Sequence, residues 1–373
     1  MTYRGLIIVV SAASGLLGLF VGSDYLARTP FLPRWNGGYE VIRSLMGQAW
    51  PTEVLQDYAG ARAILFGGNA YDTAGAEAAS YAQFGYMGLP DVISTHPPSA
   101  FALFLPLAPF SFGVASAIWA ALMLVGLVVL VRLCGAAWYV AALLGPLLVL
   151  APPVAAAVNH LAVPWLVLLF LAFHFRHRPV TSGFLIGVAS LTKYLPALVL
   201  APLLLRRLCT ALVAFVATWL VVLGLVEVLN PTVLPAYLSV ARTAAGAWIN
   251  DPGNGAFLIA PLRYGLLVEA LAVALVGWIV YREASDIRAC QVKEDVQWAR
   301  WNWLSVALLP ITWTFSVVPL ALSVFILYRR RQLLPFGVGV VGLAPVLFTP
   351  DTSSSWPQLV CTACVGLALG LET

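Results

Sequence analysis

Long apolar runs follow one another from Gly5 to Leu371, and arginines stand in the short connections between them. A bilayer offers no water to backbone N–H and C=O groups, so such runs fold as helices whose hydrogen bonds close within each segment. Charged residues make up 10% of the chain and hydrophobic ones 61%, against roughly 25% charged in an ordinary soluble domain. The expectation is an all-α polytopic transmembrane bundle, a single integral membrane domain over residues 1–373. The net charge of +4 comes from basic residues scattered between the runs rather than gathered in a patch, so no nucleic-acid partner is expected. Arg4 followed by Gly5–Gly22 reads as an uncleaved first membrane helix, because no small-residue cleavage pattern precedes Asp24 and Tyr25.

The arginines orient the chain. Arg4, Arg132, Arg176 with Arg178, Arg206-Arg207, the segment Arg282–Arg300 and Arg329–Arg331 belong on the cytoplasmic side by the positive-inside rule. Crossings between these anchors run Gly5–Gly22, Phe112–Val131, Ala136–Pro152, Leu161–Phe175, Leu208–Val228, Leu262–Tyr281, Leu333–Phe348 and Leu359–Leu371. Residues 23–111 then form a large extracytoplasmic first loop, and residues 230–261 a second. The remaining intervals are too short for two full crossings. Pro179–Leu205 returns to arginine at both ends, so each half provides roughly 20 Å of helix against a hydrocarbon core of about 30 Å. Its tip, SLTKYLP, stops below the outer surface with Lys193 on it, a costly place for a cation unless an anion or water meets it. Arg300–Arg329 repeats the pattern with a tip near Pro310–Phe315. Counting these partial passes, about twelve passes result, with both termini cytoplasmic. Broken hairpins of this kind mark binding cavities in membrane proteins.

Thr52–Asp72, TEVLQDYAGARAILFGGNAYD, predicts a helix of about four turns with Pro51-Thr52 as start and Gly67-Gly68 as stop. Val54, Tyr58, Ala61 and Leu65 share one face, and Asp57 falls on its flank. An acid there points into the junction with the membrane domain, where its surroundings can tune it for proton transfer. The segment His96–Phe110, HPPSAFALFLPLAPF, is too short to span and predicts a re-entrant or interface-lying helix closing the loop.

Polar residues gather on the outer side: Asp57, Asp72, Asp91 and His96 on the first loop, Lys193 at a hairpin tip, Asn254 and Arg263 at the re-entry of the second loop. A carboxylate with two cations suits a phosphate-bearing ligand that also needs a proton moved. Glu269 is read as paired within the bundle, and Cys361 with Cys364 as small packing residues. Four histidines without metal-site spacing lead us to expect no metal.

QDYAGARAILFGGNAYD resembles the first-loop signature of the polyprenol-phosphate-sugar-dependent glycosyltransferases of family 87, which have the GT-C fold. HPPSAFALFLPLAPF, SLTKYLPALVLAPLLLRR, GNGAFLIAPLRY and LLPITWTFSVVPL resemble its later segments in the same order. Thr314 stands where the late motif often has histidine, and Asn159-His160 where a Gly-Gln pair is usual. The resemblance implies a multi-pass protein of a bacterial plasma membrane with an extracytoplasmic active site. It would transfer a sugar, mannose or a related hexose or pentose, from a polyprenyl-phosphate donor to a hydroxyl of a glycolipid or glycan acceptor, with inversion. Asp57 maps onto the catalytic base; Lys193, Arg263, His96, Asn254, Tyr58 and Trp313 fall on motifs expected to bind substrate. No cofactor is implied beyond the lipid-phosphate donor, and no nucleotide sugar is needed, in keeping with the lack of a glycine-rich phosphate loop. A lipid-linked-sugar flippase or small-solute transporter would share the broken helices but should show an internal repeat, and none is visible.

Overall fold

The apolar runs fold as helices. The computed structural model describes residues 3–28, 37–47, 53–71, 96–151, 154, 158, 161–249, 254–289, 293–309, 314–348 and 355–372. Among them the α-helices in chain order are α1 (Tyr3–Arg28), α2 (Gly37–Leu45), α3 (Glu53–Phe66), α4 (Pro98–Ala102), α5 (Phe112–Leu133), α6 (Trp138–Leu147), α7 (Ala162–His174), α8 (Pro179–Thr192), α9 (Ala201–Leu205), α10 (Cys209–Leu229), α11 (Val233–Ile249), α12 (Leu266–Arg288), α13 (Glu294–Ala307), α14 (Leu320–Arg329), α15 (Leu333–Phe348) and α16 (Trp356–Leu371). Three are long and apolar enough to cross a bilayer: Arg4–Asp24 of α1, all of α5 and all of α10. Several shorter apolar helices accompany them. On α1 and α10 large apolar side chains such as Leu17, Leu220 and Val228 face outward. Soluble proteins rarely show so continuous an apolar exterior, and this is a membrane protein.

Small residues set the helix crossings. A Cβ on Gly183 of α8 would lie 2.1 Å from the Ala211 carbonyl oxygen of α10, and one on Gly15 of α1 would lie 2.6 Å from the Leu143 carbonyl oxygen of α6. Backbones can approach this closely only where a side chain is missing, which is how helices associate in lipid without a hydrophobic drive between them.

The first hairpin has the expected break. Helix α8 ends at Thr192, Lys193 is extended at φ −150°, ψ 138°, and a 3-10 turn over Leu195–Leu200 leads into α9. In the second, α13 and α14 flank a 3-10 turn over Thr314–Val317; residues 310–313, including Trp313, lie outside the described residues.

The arginine-bearing connections come together at one end of the molecule, here called the arginine face. Arg206 of the first hairpin pairs with Glu294 at 2.5 Å, and Arg176 lies 3.4 Å from Asp295. Arg330 pairs with Glu372 at 2.9 Å, and Arg282 donates to the Glu372 carbonyl at 3.0 Å. Residues from four connections, Arg282 of α12 and the C-terminal end of α16 thus share a side, the grouping that the positive-inside rule requires.

Three expected boundaries shift. Segment 282–300 was expected as a connection, but α12 continues about two turns past Tyr281. Arg300 sits inside α13, 1% exposed, with its Nη1 3.2 Å from Glu283 and 2.6 Å from Asp286. Residues 230–261 carry a 17-residue helix, α11. His96–Phe110 is helical only over Pro98–Ala102 and then proceeds by turns, because Pro106 and Pro109 have no N–H to continue the ladder. Its Phe101 and Phe104 are buried, so of the two expected forms, re-entrant or interface-lying, it has the burial of the first and plugs the fold.

A topology test follows. On a cysteine-free background, Gly68→Cys is expected to react with an impermeant maleimide on intact cells, and His177→Cys only after permeabilisation. Both positions are exposed, so the reverse pattern would place the arginine face outside and overturn the orientation.

Candidate active site

Helix α3 forms where the start and stop residues place it, and it buries more than its flank. Val54, Tyr58, Ala61 and Ile64 are buried, while Leu65 is 36% exposed. The contact face is therefore turned towards Ile64, because the Phe101 ring lies against Gly60, where a Cβ would stand 2.7 Å from it. This turn takes Asp57 from the flank into the interior, 1% exposed.

A buried carboxylate needs partners. Asp57 Oδ1 lies 2.7 Å from His96 Nδ1, a pair 39 residues apart in sequence. An ionised carboxylate only accepts, so Nδ1 carries the proton when Asp57 is charged. Asp57 Oδ2 is buried with no hydrogen-bond partner among the described residues. The histidine is held by its own backbone: Tyr71 Oη donates to the His96 carbonyl at 2.9 Å, and Tyr71 N–H bonds Asn69 Oδ1 at 3.0 Å. Tyr58 Oη donates to the Phe110 carbonyl at 2.6 Å, and Arg62 donates to Tyr58 Oη and the Ala108 carbonyl. Tyr58, expected at the substrate, is engaged in tying α3 to the end of the plug.

The plug joins this pair to the first hairpin tip. Ser99 Oγ donates to the Leu191 carbonyl at 2.8 Å, two residues before Lys193. The Lys193 ammonium in turn donates to Ser316 Oγ at 3.2 Å, and Ser316 lies in the turn that follows the second hairpin tip. Lys193 of the first tip thus contacts the turn behind the second, whose own residues 310–313 lie outside the described residues. Helix α8 has 14 residues, which puts Lys193 about 21 Å from the arginine face.

Sequence reasoning missed a tyrosine cluster between loop and tip. Tyr194 Oη donates to Tyr237 Oη at 3.0 Å, and the Tyr237 ring is 5.6 Å from that of Tyr71. Burial, then Tyr237, Tyr194 and the Asp57 charge, push the Tyr71 phenol well above its ordinary range, so Tyr71 stays a neutral hydrogen-bond donor. The only available signal was the YLP sequence beside Lys193, since Tyr237 lies in what read as loop.

Arg263 and Asn254 form a second cluster. Asn254 is buried, its Oδ1 accepts the Ala256 N–H at 3.0 Å, and Arg263 Nη1 donates to its carbonyl at 3.1 Å. Asn254 is thus a turn former that seats Arg263, whose side chain is exposed. Gly255 packs against Gln358 at the start of α16. Asp72, Asp91 and Trp313 fall outside the described residues.

The arrangement offers one buried carboxylate oxygen with no hydrogen-bond partner among the described residues, an imidazole holding the other oxygen, and an ammonium against Ser316 behind the second hairpin tip. It can take a proton and neutralise an anion within the same end of the bundle. The family model described as Glycosyltransferase family 87 matches residues 95–292, more than half of the chain. His96, Lys193, Asn254 and Arg263 lie inside the matched range, and Asp57 precedes it. No match was found among curated proteins or among solved structures.

Proposed function

This chain belongs to glycosyltransferase family 87, and from that premise we propose that it moves a sugar, mannose or a related hexose or pentose, from a polyprenyl-phosphate donor to a hydroxyl of a glycolipid or glycan. The transfer takes place at the end opposite the arginine face, the extracytoplasmic side of a bacterial plasma membrane, with both termini cytoplasmic and about twelve passes. The observation that carries this reading is the Asp57–His96 pair at 2.7 Å, with Asp57 Oδ2 buried and without a partner among the described residues.

The acceptor oxygen attacks C1 of the sugar from the face opposite the phosphate, and its proton passes to Asp57 Oδ2. The bond from C1 to the phosphate oxygen breaks, and configuration at C1 inverts. The departing polyprenyl phosphate carries the electron pair, and its charge is met by Lys193 at the first hairpin tip and by Arg263. His96 holds Asp57 Oδ1 so that Oδ2 is the oxygen presented to the hydroxyl. The donor's own phosphate serves as leaving group.

Purified protein supplied with a polyprenyl-phosphate hexose and a glycolipid acceptor is expected to form the glycosylated product and free polyprenyl phosphate, and to form none from a nucleotide sugar. Lys193→Ala should raise the donor KM by roughly tenfold or more, the loss of one charge-assisted contact of about 1.5–3 kcal/mol. Transfer from a nucleotide sugar would refute the donor assignment; unchanged donor KM in Lys193→Ala and Arg263→Ala would make both cations structural.

A further inference from the structure

Two helix ends on the arginine face break the same backbone rule. After α9, the Arg207 N–H bonds the Leu204 carbonyl at 2.8 Å and the Leu208 N–H bonds that of Leu203 at 3.0 Å. After α14, the Arg331 N–H bonds Tyr328 at 2.9 Å and the Gln332 N–H bonds Leu327 at 3.2 Å. In this closure the residue after the helix turns left-handed and is usually glycine. Here it is arginine both times, at φ 59° and 57°, the only non-glycine residues with positive φ among those described. A Cβ is disfavoured in that conformation, so the reason for arginine lies in its guanidinium.

The two Arg-Arg pairs divide their labour alike. Arg206 and Arg330 take the internal carboxylates of Glu294 and Glu372. Arg207 and Arg331 are exposed, and among the described residues neither meets a carboxylate.

After α14 the second arginine borders a cavity. Arg331 lines a volume of about 330 Å³ with Tyr328, Arg329, Gln332, Leu333 and Phe336. The Arg329 guanidinium lies 5.9 Å from the ring centroids of both Phe173 and Phe325, which brace the cation while its in-plane N–H groups stay available. Leu333, which lines the cavity, and the next residue, Leu334, are 78% and 72% exposed at the start of an apolar helix. Two cations over an apolar lip match a phosphate joined to acyl chains. Snorkelling explains basic side chains at a membrane boundary, yet it works from any neighbouring position and gives no reason for a left-handed one.

We propose that this cavity binds the phosphate of an anionic phospholipid between Arg329 and Arg331, with the acyl chains along Leu333 and Leu334. Free phosphate offers the same oxygens but leaves the apolar lip uncovered.

The test uses the full chain in detergent, with lipid binding read by native mass spectrometry and folding by thermal unfolding. Wild type is expected to retain phosphatidylglycerol in preference to phosphatidylcholine, and equimolar inorganic phosphate should not displace it. Arg331→Gly relieves the backbone, so it should unfold at the same or a higher temperature, yet bind phosphatidylglycerol about tenfold more weakly. Arg331→Asn, which also tolerates the left-handed conformation, should behave likewise, and Arg329→Gln should weaken binding to a similar degree. Undiminished phosphatidylglycerol binding in Arg331→Gly and Arg329→Gln overturns the proposal, as does equal retention of phosphatidylcholine. Displacement by inorganic phosphate makes this a free-anion site and refutes the lipid. Unfolding of both Arg331 variants makes the arginine a helix cap and nothing more.

Discussion

Asp57→Asn is expected to lower turnover by about 10²–10⁴-fold, the usual worth of general-base assistance, with donor KM and thermal unfolding nearly unchanged. The amide is almost isosteric, and its oxygen can still accept from His96 Nδ1, 2.7 Å from Asp57 Oδ1. What disappears is a site for the acceptor's proton. His96 acts on the substrate only through Asp57 in this account, so His96→Ala should lower kcat by a smaller factor with donor KM unchanged. His96→Asn, which keeps an N–H near the Nδ1 position, should recover part of that loss. Steady-state transfer assays on the three variants decide the matter. Near-normal turnover in Asp57→Asn would remove Asp57 as the base. A deeper loss in His96→Ala than in Asp57→Asn would move the base to the imidazole.

The second large effect concerns stability. Arg300 is 1% exposed in α13, with Nη1 3.2 Å from Glu283 Oε2 and 2.6 Å from Asp286 Oδ2. Glu283 is itself buried, and its Oε1 accepts from Gln297 at 2.7 Å and Trp301 at 3.1 Å. Arg300→Met keeps most of the volume but leaves two facing carboxylates without their cation. Breaking one partner out of a buried pair typically costs about 3–5 kcal/mol. Glu283→Gln should cost less, because Gln297 and Trp301 can still donate to the amide oxygen and Arg300 keeps Asp286. Thermal unfolding in detergent, followed by the loss of monodisperse protein, is the measurement. An Arg300→Met variant as stable as wild type would mean that water already screens the cluster. The cluster lies on the arginine face, so transfer by surviving folded protein should be little changed, which separates this effect from that of Asp57.

Much of this protein could be read before its fold was known. Apolar runs closed by arginines determine helices, a membrane setting and a common side for the connections, because backbone satisfaction in lipid and the cost of moving arginine across it act locally. The short hairpins were legible for the same reason: length against bilayer thickness needs no tertiary contact. The start and stop of α3 were likewise written in Pro51, Thr52 and the two glycines. Its face was legible only in part. Helical period places Leu65 with Tyr58, but Phe101 against Gly60 turns the contact to Ile64 and draws Asp57 inside.

Only the tertiary structure decided what Asp57 meets. His96 is 39 residues away, Tyr237 lies on a helix within what read as a loop, and Ser316 reaches Lys193 from 123 residues down the chain. No periodicity encodes such pairs, since they depend on how close two backbones come, and that is set by missing side chains at Gly60, Gly183 and Gly255. The same holds for Arg300, whose charge read as a surface anchor until two carboxylates from α12 were found around it. A charged residue's sequence position tells where its helix ends; whether it faces water or a buried partner is settled by the packing of other segments against it.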